Sequence, residues 1–198
     1  MAYLSEEELP GLGLAACGRN VRISRLCAIH GAAKICIGSD VRIDDFTVIT
    51  AEQEVRIGCY VHIGAHVFIS GQYGIDLGDF SGLSPRVVLL SGSDDFDGQL
   101  LTGPTVPPNL RRMVCGRIVV GRHAVVGAAS VVLPGVTIGE GAVVGALSLV
   151  KSDLAAWGLY AGIPAKFIRL RSKDLLASAK HVGSGNPKKP ARKQTRRT

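Results

Sequence analysis

Along most of this chain an aliphatic residue returns at every sixth position. Residues 37–49 show the unit: Ile37-Gly38-Ser39-Asp40-Val41-Arg42, then Ile43-Asp44-Asp45-Phe46-Thr47-Val48, then Ile49. Before residue 90 the aliphatic positions are 23, 29, 37, 43, 49, 57, 63, 69, 77, 83 and 89, with Cys17 in the same slot at the start. They group in threes (17/23/29, 37/43/49, 57/63/69 and 77/83/89), and corresponding members lie 20 residues apart. One turn therefore holds three hexads plus two extra residues at one corner. After a break the extras disappear: Val120, Val126 and Val132 are followed by Ile138, Val144 and Val150. The fifth place is usually small or β-branched, as in Val41, Thr47, Val61, Val67, Ser81, Val87, Ala124, Ser130, Val136, Ala142 and Ser148.

An amphipathic helix needs apolar spacings of three and four, and a lone strand a spacing of two; neither explains a period of six. Three hexads per turn predict a triangular coil with one short strand on each side, stacked along an axis. Six such coils at the inter-strand spacing would span roughly 29 Å. Glycine recurs at the second place, where it is expected to relieve the backbone at the corner. The fold class is thus an all-β solenoid, a parallel β-helix with a long loop insertion and short terminal helices. Ser5 and Glu8 fit a capping box, which predicts a short helix over residues 5–9. A second short helix is expected over residues 172–180, and Trp157, Leu159 and Tyr160 should close the open end of the stack. Residues 90–119 interrupt the repeat with Ser91-Gly92-Ser93-Asp94-Asp95-Phe96-Asp97-Gly98, three prolines further on and Arg111-Arg112. A long insertion in a regular solenoid points to function. The expected division is a cap at 1–16, the β-helix at 17–170, a helix at 171–180 and a basic tail at 181–198.

Charge changes this picture only at the end. The formal net charge of +7 equals the seven cations between Lys180 and Thr198, so residues 1–179 are formally neutral. A Gly/Pro/Lys tail of this kind is expected to be disordered and solvated, with no nucleic-acid partner. Aromatic residues are few, at 5%, and Gly is abundant, at 25 residues, which suits a solenoid with a Val/Ile/Leu/Ala core. No apolar run of about 18 residues occurs, so no membrane span is expected. The segment Met1–Leu9 has neither the basic start nor the apolar run of a signal peptide. Five Cys without a CxxC pair then favour reduced thiols in a cytoplasm.

Two stretches carry a family resemblance. Val132-Leu133-Pro134-Gly135-Val136-Thr137-Ile138-Gly139-Glu140-Gly141 resembles the penultimate coils of the hexapeptide-repeat acetyltransferases, and Tyr160-Ala161-Gly162-Ile163-Pro164-Ala165-Lys166-Phe167-Ile168 resembles their terminal signature. The likeness extends from about Gly11 to Leu176. Arg42-Ile43-Asp44-Asp45-Phe46, Val61-His62-Ile63 and Ser93-Asp94-Asp95-Phe96 resemble the group that acetylates surface-polysaccharide sugars, including nucleotide-linked amino sugars. This resemblance implies a left-handed coil, a homotrimer and a cytoplasmic enzyme. Its acyl donor would be acetyl-CoA, held in the groove between two neighbouring prisms, with no metal. Ala128 and Ala146 would let the pantetheine approach the backbone, and Lys151, Lys166 and Arg169 would meet its phosphates and adenine end.

The catalytic base is less plain. Relatives use a His at either of two places, held here by the Ser93-Asp94-Asp95 run and by Gln53. His62, the sixth residue of its hexad, should face outward in line with Arg22, Arg42 and Gly82, where it could serve as base. Asp94 and Asp95 could accept a proton or hold a substrate ammonium. Asp44 and Asp45 are candidate sugar ligands, and His66 another. His30 and His123 are expected to be merely exposed at corners. A neutral amine is already a nucleophile, so absence of the usual His favours an amino sugar over a hydroxyl acceptor. Sugar O-acetylation, a non-enzymatic hexapeptide scaffold and a γ-class carbonic anhydrase-like protein remain alternatives. The last would need three His ligands, and only His62 and His66 are close in sequence. The acceptor, the acyl length and the base are not decided at this level.

Overall fold

The computed structural model describes residues 2–182; the predicted basic tail falls almost entirely outside them. Three parallel sheets form the sides of a triangular prism. The first face stacks Ala16–Cys17, Ile35–Ile37, Val55–Ile57, Ile75–Leu77, Ile118–Val120 and Thr137–Ile138. The second stacks Arg22–Ile23, Arg42–Ile43, His62–Ile63, Gly82–Leu83, Val125–Val126, Val143–Val144 and Gly158–Ala161, and Lys166–Leu170 closes it. The third stacks Ala28–His30, Val48–Ala51, Phe68–Gly71, Val88–Leu90, Val131–Val132 and Leu149–Val150. Register follows the repeat: Ile37 pairs with Ile57, Ile43 with Ile63 and Ile49 with Ile69. Across the interruption Leu77 meets Val120, so the coil resumes in phase.

The aliphatic ladder is the core. Ile43, Ile49, Ile63, Ile69, Leu89, Val126, Val132 and Ile138 are wholly buried, and the small fifth-place residues from Val41 to Ser148 line the corners inside them. Small residues are required there because three side chains converge at each corner of a narrow prism. Thr47 and Ser130 keep their buried hydroxyls bonded to the carbonyls of Gly64 and Gly145.

Glycine at the second place has a different purpose from the one expected. Gly38, Gly58, Gly78 and Gly121 do not take the left-handed conformation; a Cβ on Gly38 would meet the Gly58 carbonyl carbon at 2.7 Å. These glycines let successive coils stack closely. The left-handed residues stand two places later and mostly carry side chains. Asn20, Asp40, Tyr60, Phe80, His123 and Trp157 hold it at the edge between the first and second faces, and Phe46, His66, Arg86, Ala129 and Leu147 at the edge between the second and third.

The first of these edges is an aromatic column. Tyr60 stacks on Phe80 at 4.8 Å, Phe80 on His123 at 5.0 Å, and Trp157 covers His123 at 6.4 Å. Gly141 occupies the rung between His123 and Trp157, where a Cβ would strike the indole at 2.5 Å. His123 is therefore buried, contrary to the exposed position expected for it, while His30 is exposed. Arg171 ties the end of this edge by donating to the carbonyls of His123 and Gly141.

The ends differ in detail from expectation. Residues 5–9 form no helix; a turn leads into a 3-10 helix at Leu9–Leu12, because Pro10 cannot donate to a longer helical ladder. The Ser5–Glu8 pairing still exists, with the Ser5 N–H donating to the Glu8 carboxylate at 2.7 Å. At the other end the helix spans Leu175–Val182, a few residues later than predicted. Tyr160 fills the last inward place of the second face, and Trp157 caps the aromatic edge; Leu159 points outward. Lys166–Leu170 turns back antiparallel on Gly158–Ala161 and covers the sheet edge that would otherwise be open.

The interruption leaves the coil after Leu90 and returns at Ile118. It is not structureless: Gly92–Asp94 pairs antiparallel with Met113–Cys115, and Pro108–Leu110 forms a short 3-10 helix.

Candidate functional site

Two separate parts of the prism gather chemistry. One is the edge between the second and third faces. Its successive rungs place Asp44-Asp45-Phe46, Gly64-Ala65-His66, Ser84-Pro85-Arg86, Gly127-Ala128-Ala129 and Gly145-Ala146-Leu147 above one another. Ala161 ends the line and pairs with Lys166. Ala128, Ala146 and Lys166 thus share one edge: small residues beside backbone, with a cation at the end. That chemistry suits an extended thioester with a phosphorylated terminus. Arg169 lies across the same last strand pair, opposite Leu159, and Lys151 stands at the far end of the third face, away from this edge.

His62 stands on the second face beside this edge, its side chain 52% exposed. It faces outward, as the repeat implies. Its Nε2 lies 2.8 Å from Oδ2 of Asp44. Asp44 is not open to a sugar: its side chain is only 7% exposed, and Arg42 donates to both its oxygens, from Nε at 2.6 Å and Nη2 at 3.0 Å. The Tyr3 hydroxyl donates to Oδ1 at 3.3 Å. Burial pushes the Asp44 pKa up, but the hydrogen bonds from Arg42 and His62 outweigh it and hold the group below the usual carboxylate range. Asp45 accepts a hydrogen bond from the Ser24 hydroxyl. His66 stacks on Phe46 with ring centroids 4.9 Å apart, both exposed to solvent.

The other part is the insertion. Asp94, Ser93, Phe96, Pro104, Arg111, Met113, Gln72 and Gly92 line a cavity of about 310 Å³. The two adjacent aspartates have different jobs. Asp95 pairs with Arg112 at 3.0 Å and accepts the Asp97 N–H, so it braces the loop. The Asp94 carboxylate accepts only the Gly103 N–H, at 3.2 Å, and has no ion-pair partner among the described residues. A larger groove, about 640 Å³, runs along the first face, but its charges are paired, Arg122 with Asp79 in the lining and Arg56 and Asp76 with Glu54 and Arg117 beside it.

Within one chain these two parts do not meet. The insertion leaves the third face at the corner toward the first, whereas His62, Ala128 and Ala146 lie on or beside the opposite edge. Sequence reading did not single out Ser84, which stands on that edge one rung beyond Gly64, nor Arg111 in the cavity. Ser84 looks like any small second-place residue, and only stacking puts it on the coil that adjoins that of His62. Among the described residues no group of three or more His, Cys, Asp or Glu side chains is placed to hold a metal ion. No described helix is long and apolar enough to cross a membrane.

Residues 117–152 match the model of the bacterial transferase hexapeptide family, described as six repeats. The chain is 40% identical over 177 residues to dTDP-4-amino-4,6-dideoxy-D-glucose acyltransferase from Escherichia coli, covering 89% of this chain and 92% of that protein. Among solved structures it resembles AntD, an N-acyltransferase from Bacillus cereus, in complex with dTDP and 3-hydroxybutyryl-CoA. The identity is 36%, the TM-score 0.89, and the match covers 93% of this chain and 98% of the other. The S84C variant of AntD, with dTDP-4-amino-4,6-dideoxyglucose and coenzyme A, gives a TM-score of 0.90 at 35% identity, over 93% and 98% of the two chains. With a six-residue repeat in every coil and likeness of this extent, the chain belongs to the hexapeptide-repeat acyltransferases and is an enzyme that draws its acyl group from a coenzyme A thioester.

Proposed function

We propose that this enzyme transfers acetyl from acetyl-CoA to the amino group of a dTDP-linked amino sugar, in a cytoplasmic step of surface-polysaccharide synthesis, and works as a homotrimer. The observation that carries the amine assignment is Asp94: a carboxylate facing a cavity with no cation bound to it among the described residues, next to a carboxylate already neutralised by Arg112. Such a group matches an amine that arrives as an ammonium ion. The AntD variants solved with ligands include changes at a serine and at an aspartate, S84A and D94N among them. This chain carries Ser84 and Asp94.

The site is built between protomers. The edge with His62, Ser84, Ala128, Ala146 and Lys166 belongs to one subunit, and the cavity with Asp94 and Arg111 to its neighbour. Two exposed apolar surfaces support this. Phe46 and Leu147 on the edge are 52% and 68% exposed in the single chain, and Phe96 on the insertion 83%. Apolar groups of that size left open are characteristic of a surface that another subunit covers.

In the reaction the bound ammonium first gives up one proton to solvent, the neutral amine nitrogen then attacks the thioester carbon, the C–S bond breaks and the coenzyme leaves as thiolate. Asp94 holds and orients the amino group, and His62 receives the proton that nitrogen gives up. Lys166 anchors the coenzyme phosphates. A thiol-release assay tests this directly, with acetyl-CoA and 3-hydroxybutyryl-CoA as donors. Acceptors would be dTDP-4-amino-4,6-dideoxyglucose and the same nucleotide sugar with a hydroxyl for the amine. Turnover of the amino sugar with acetyl-CoA is expected. Turnover confined to the hydroxyl acceptor would overturn the N-acyl assignment, and preference for the longer donor would overturn the acetyl one.

A further inference from the structure

The second-place column on the second face runs Ser24, Asp44, Gly64, Ser84, Gly127, Gly145 and Ala161. Every member is small except Asp44, the one ionisable group in the line, and it is nearly buried. Burying a carboxylate is costly unless charge and hydrogen bonds compensate. Here Arg42 supplies the charge and engages both oxygens, and one further contact is directed outward, to the His62 ring.

We infer that Asp44 is a positioning residue, which fixes the tautomer and aim of His62. This rests on the reading of His62 as the proton acceptor. An ionised carboxylate only accepts hydrogen bonds, so the 2.8 Å contact requires His62 Nε2 to carry the proton. Nδ1 is then the lone-pair nitrogen. No described residue bonds to it, and the ring is half exposed beside the Ser84 rung. The arrangement presents a base toward the groove and stabilises the imidazolium after proton uptake, because Asp44 remains charged beneath it.

Asp44 also receives the Tyr3 hydroxyl, so a purely structural role, pinning the amino-terminal segment, must be separable. Asp44→Asn separates it. The amide oxygen would stay with Arg42 Nε and Tyr3, while the NH2 group would give up the Arg42 Nη2 bond and face His62. An NH2 there donates to Nε2 and forces the opposite tautomer while keeping the shape, the type of change known to disable a histidine base.

The first measurement needs no variant: 15N NMR of the imidazole nitrogens in the intact wild-type protein at alkaline pH. The expected spectrum has a protonated Nε2 and a lone-pair Nδ1; a protonated Nδ1 overturns the inference. Asp44→Asn should invert the pattern and lower kcat on the order of 10²-fold, as removing the base would, with KM for both substrates little changed. Tyr3→Phe should leave spectrum and kcat as in wild type. A large loss of kcat in Tyr3→Phe equal to that of Asp44→Asn would assign Asp44 a structural role instead. An inverted tautomer with undiminished kcat keeps the positioning geometry and removes His62 from the chemistry, so the two readings fail separately.

Discussion

Arg112 Nε stands 3.0 Å from Oδ2 of Asp95, and this ion pair divides two neighbouring carboxylates into a brace and a ligand. Asp94, without such a partner, faces the cavity. Asp94→Asn should therefore raise KM for the amino sugar or lower kcat by tenfold or more, in the range of a lost charge-assisted hydrogen bond of about 1.5–3 kcal/mol. Asp95→Asn should leave the chemistry nearly intact and loosen the insertion, which limited proteolysis would detect. Equal kinetic losses in both variants would contradict the division.

A site shared between subunits can be tested by complementation. His62→Ala is expected to reduce kcat on the order of 10²-fold, and Asp94→Asn to impair acceptor use. Trimers assembled from equal amounts of the two variants would hold an intact pair in about one groove in four. Mixing them under conditions of subunit exchange should restore activity to roughly that fraction of wild type. No recovery in demonstrably mixed trimers would place both residues in one chain's site.

His123 should make stability depend on pH. Burial is the main cause that pushes its pKa below the ordinary histidine value, and Arg122 and Arg171 add to it against Glu140 and Asp79. The unfolded chain then takes up this proton more readily than the folded one. Stability is full above about 6.5 and declines as pH falls through the folded-state value. His123→Phe should flatten that part of the melting-temperature profile without breaking the column, because Phe80 and Phe46 already hold the same left-handed backbone. An unchanged slope in the variant would exclude His123 as the source.

Two buried serines of the fifth-place ladder should respond oppositely to alanine. Ser130 Oγ donates to the Gly145 carbonyl and accepts the Ser148 N–H. Ser130→Ala leaves the Ser148 N–H without its partner, while the Gly145 carbonyl keeps the Ser148 hydroxyl, and should cost about 1–3 kcal/mol. Ser81 Oγ is buried with no partner among the described residues. Its neighbours in the column are Val61 and Ala124, so Ser81→Ala fits the site and should raise the melting temperature. A loss of stability there would mean that the hydroxyl has a partner after all.

The repeat was legible because it encodes a local rule. An inward aliphatic side chain every six residues, with a small residue at each corner, repeats the same packing problem in every coil. The number of coils and the inward ladder followed from spacing alone. The family was recognised differently, by the resemblance of Val132–Gly141 and of the segment from Tyr160 to known relatives. The role of the second-place glycines was not legible. Their constraint comes from the backbone of the next coil, some 20 residues away, and not from their own torsions.

Sequence by itself therefore determined the solenoid, its core and its insertion, since each depends on residue type and period. Tertiary structure decided which candidates meet. Asp44 and His62 are 18 residues apart and touch because one coil stacks on the next. Asp94 and Asp95 are adjacent in the chain, yet only the fold back to Arg112 separates their roles. His123 looks like any corner residue until Phe80 and Trp157 close over it. In each case the deciding contact lies between coils, where burial and hydrogen-bond partners are set by stacking, and a linear pattern contains no record of what each outward side chain finds there.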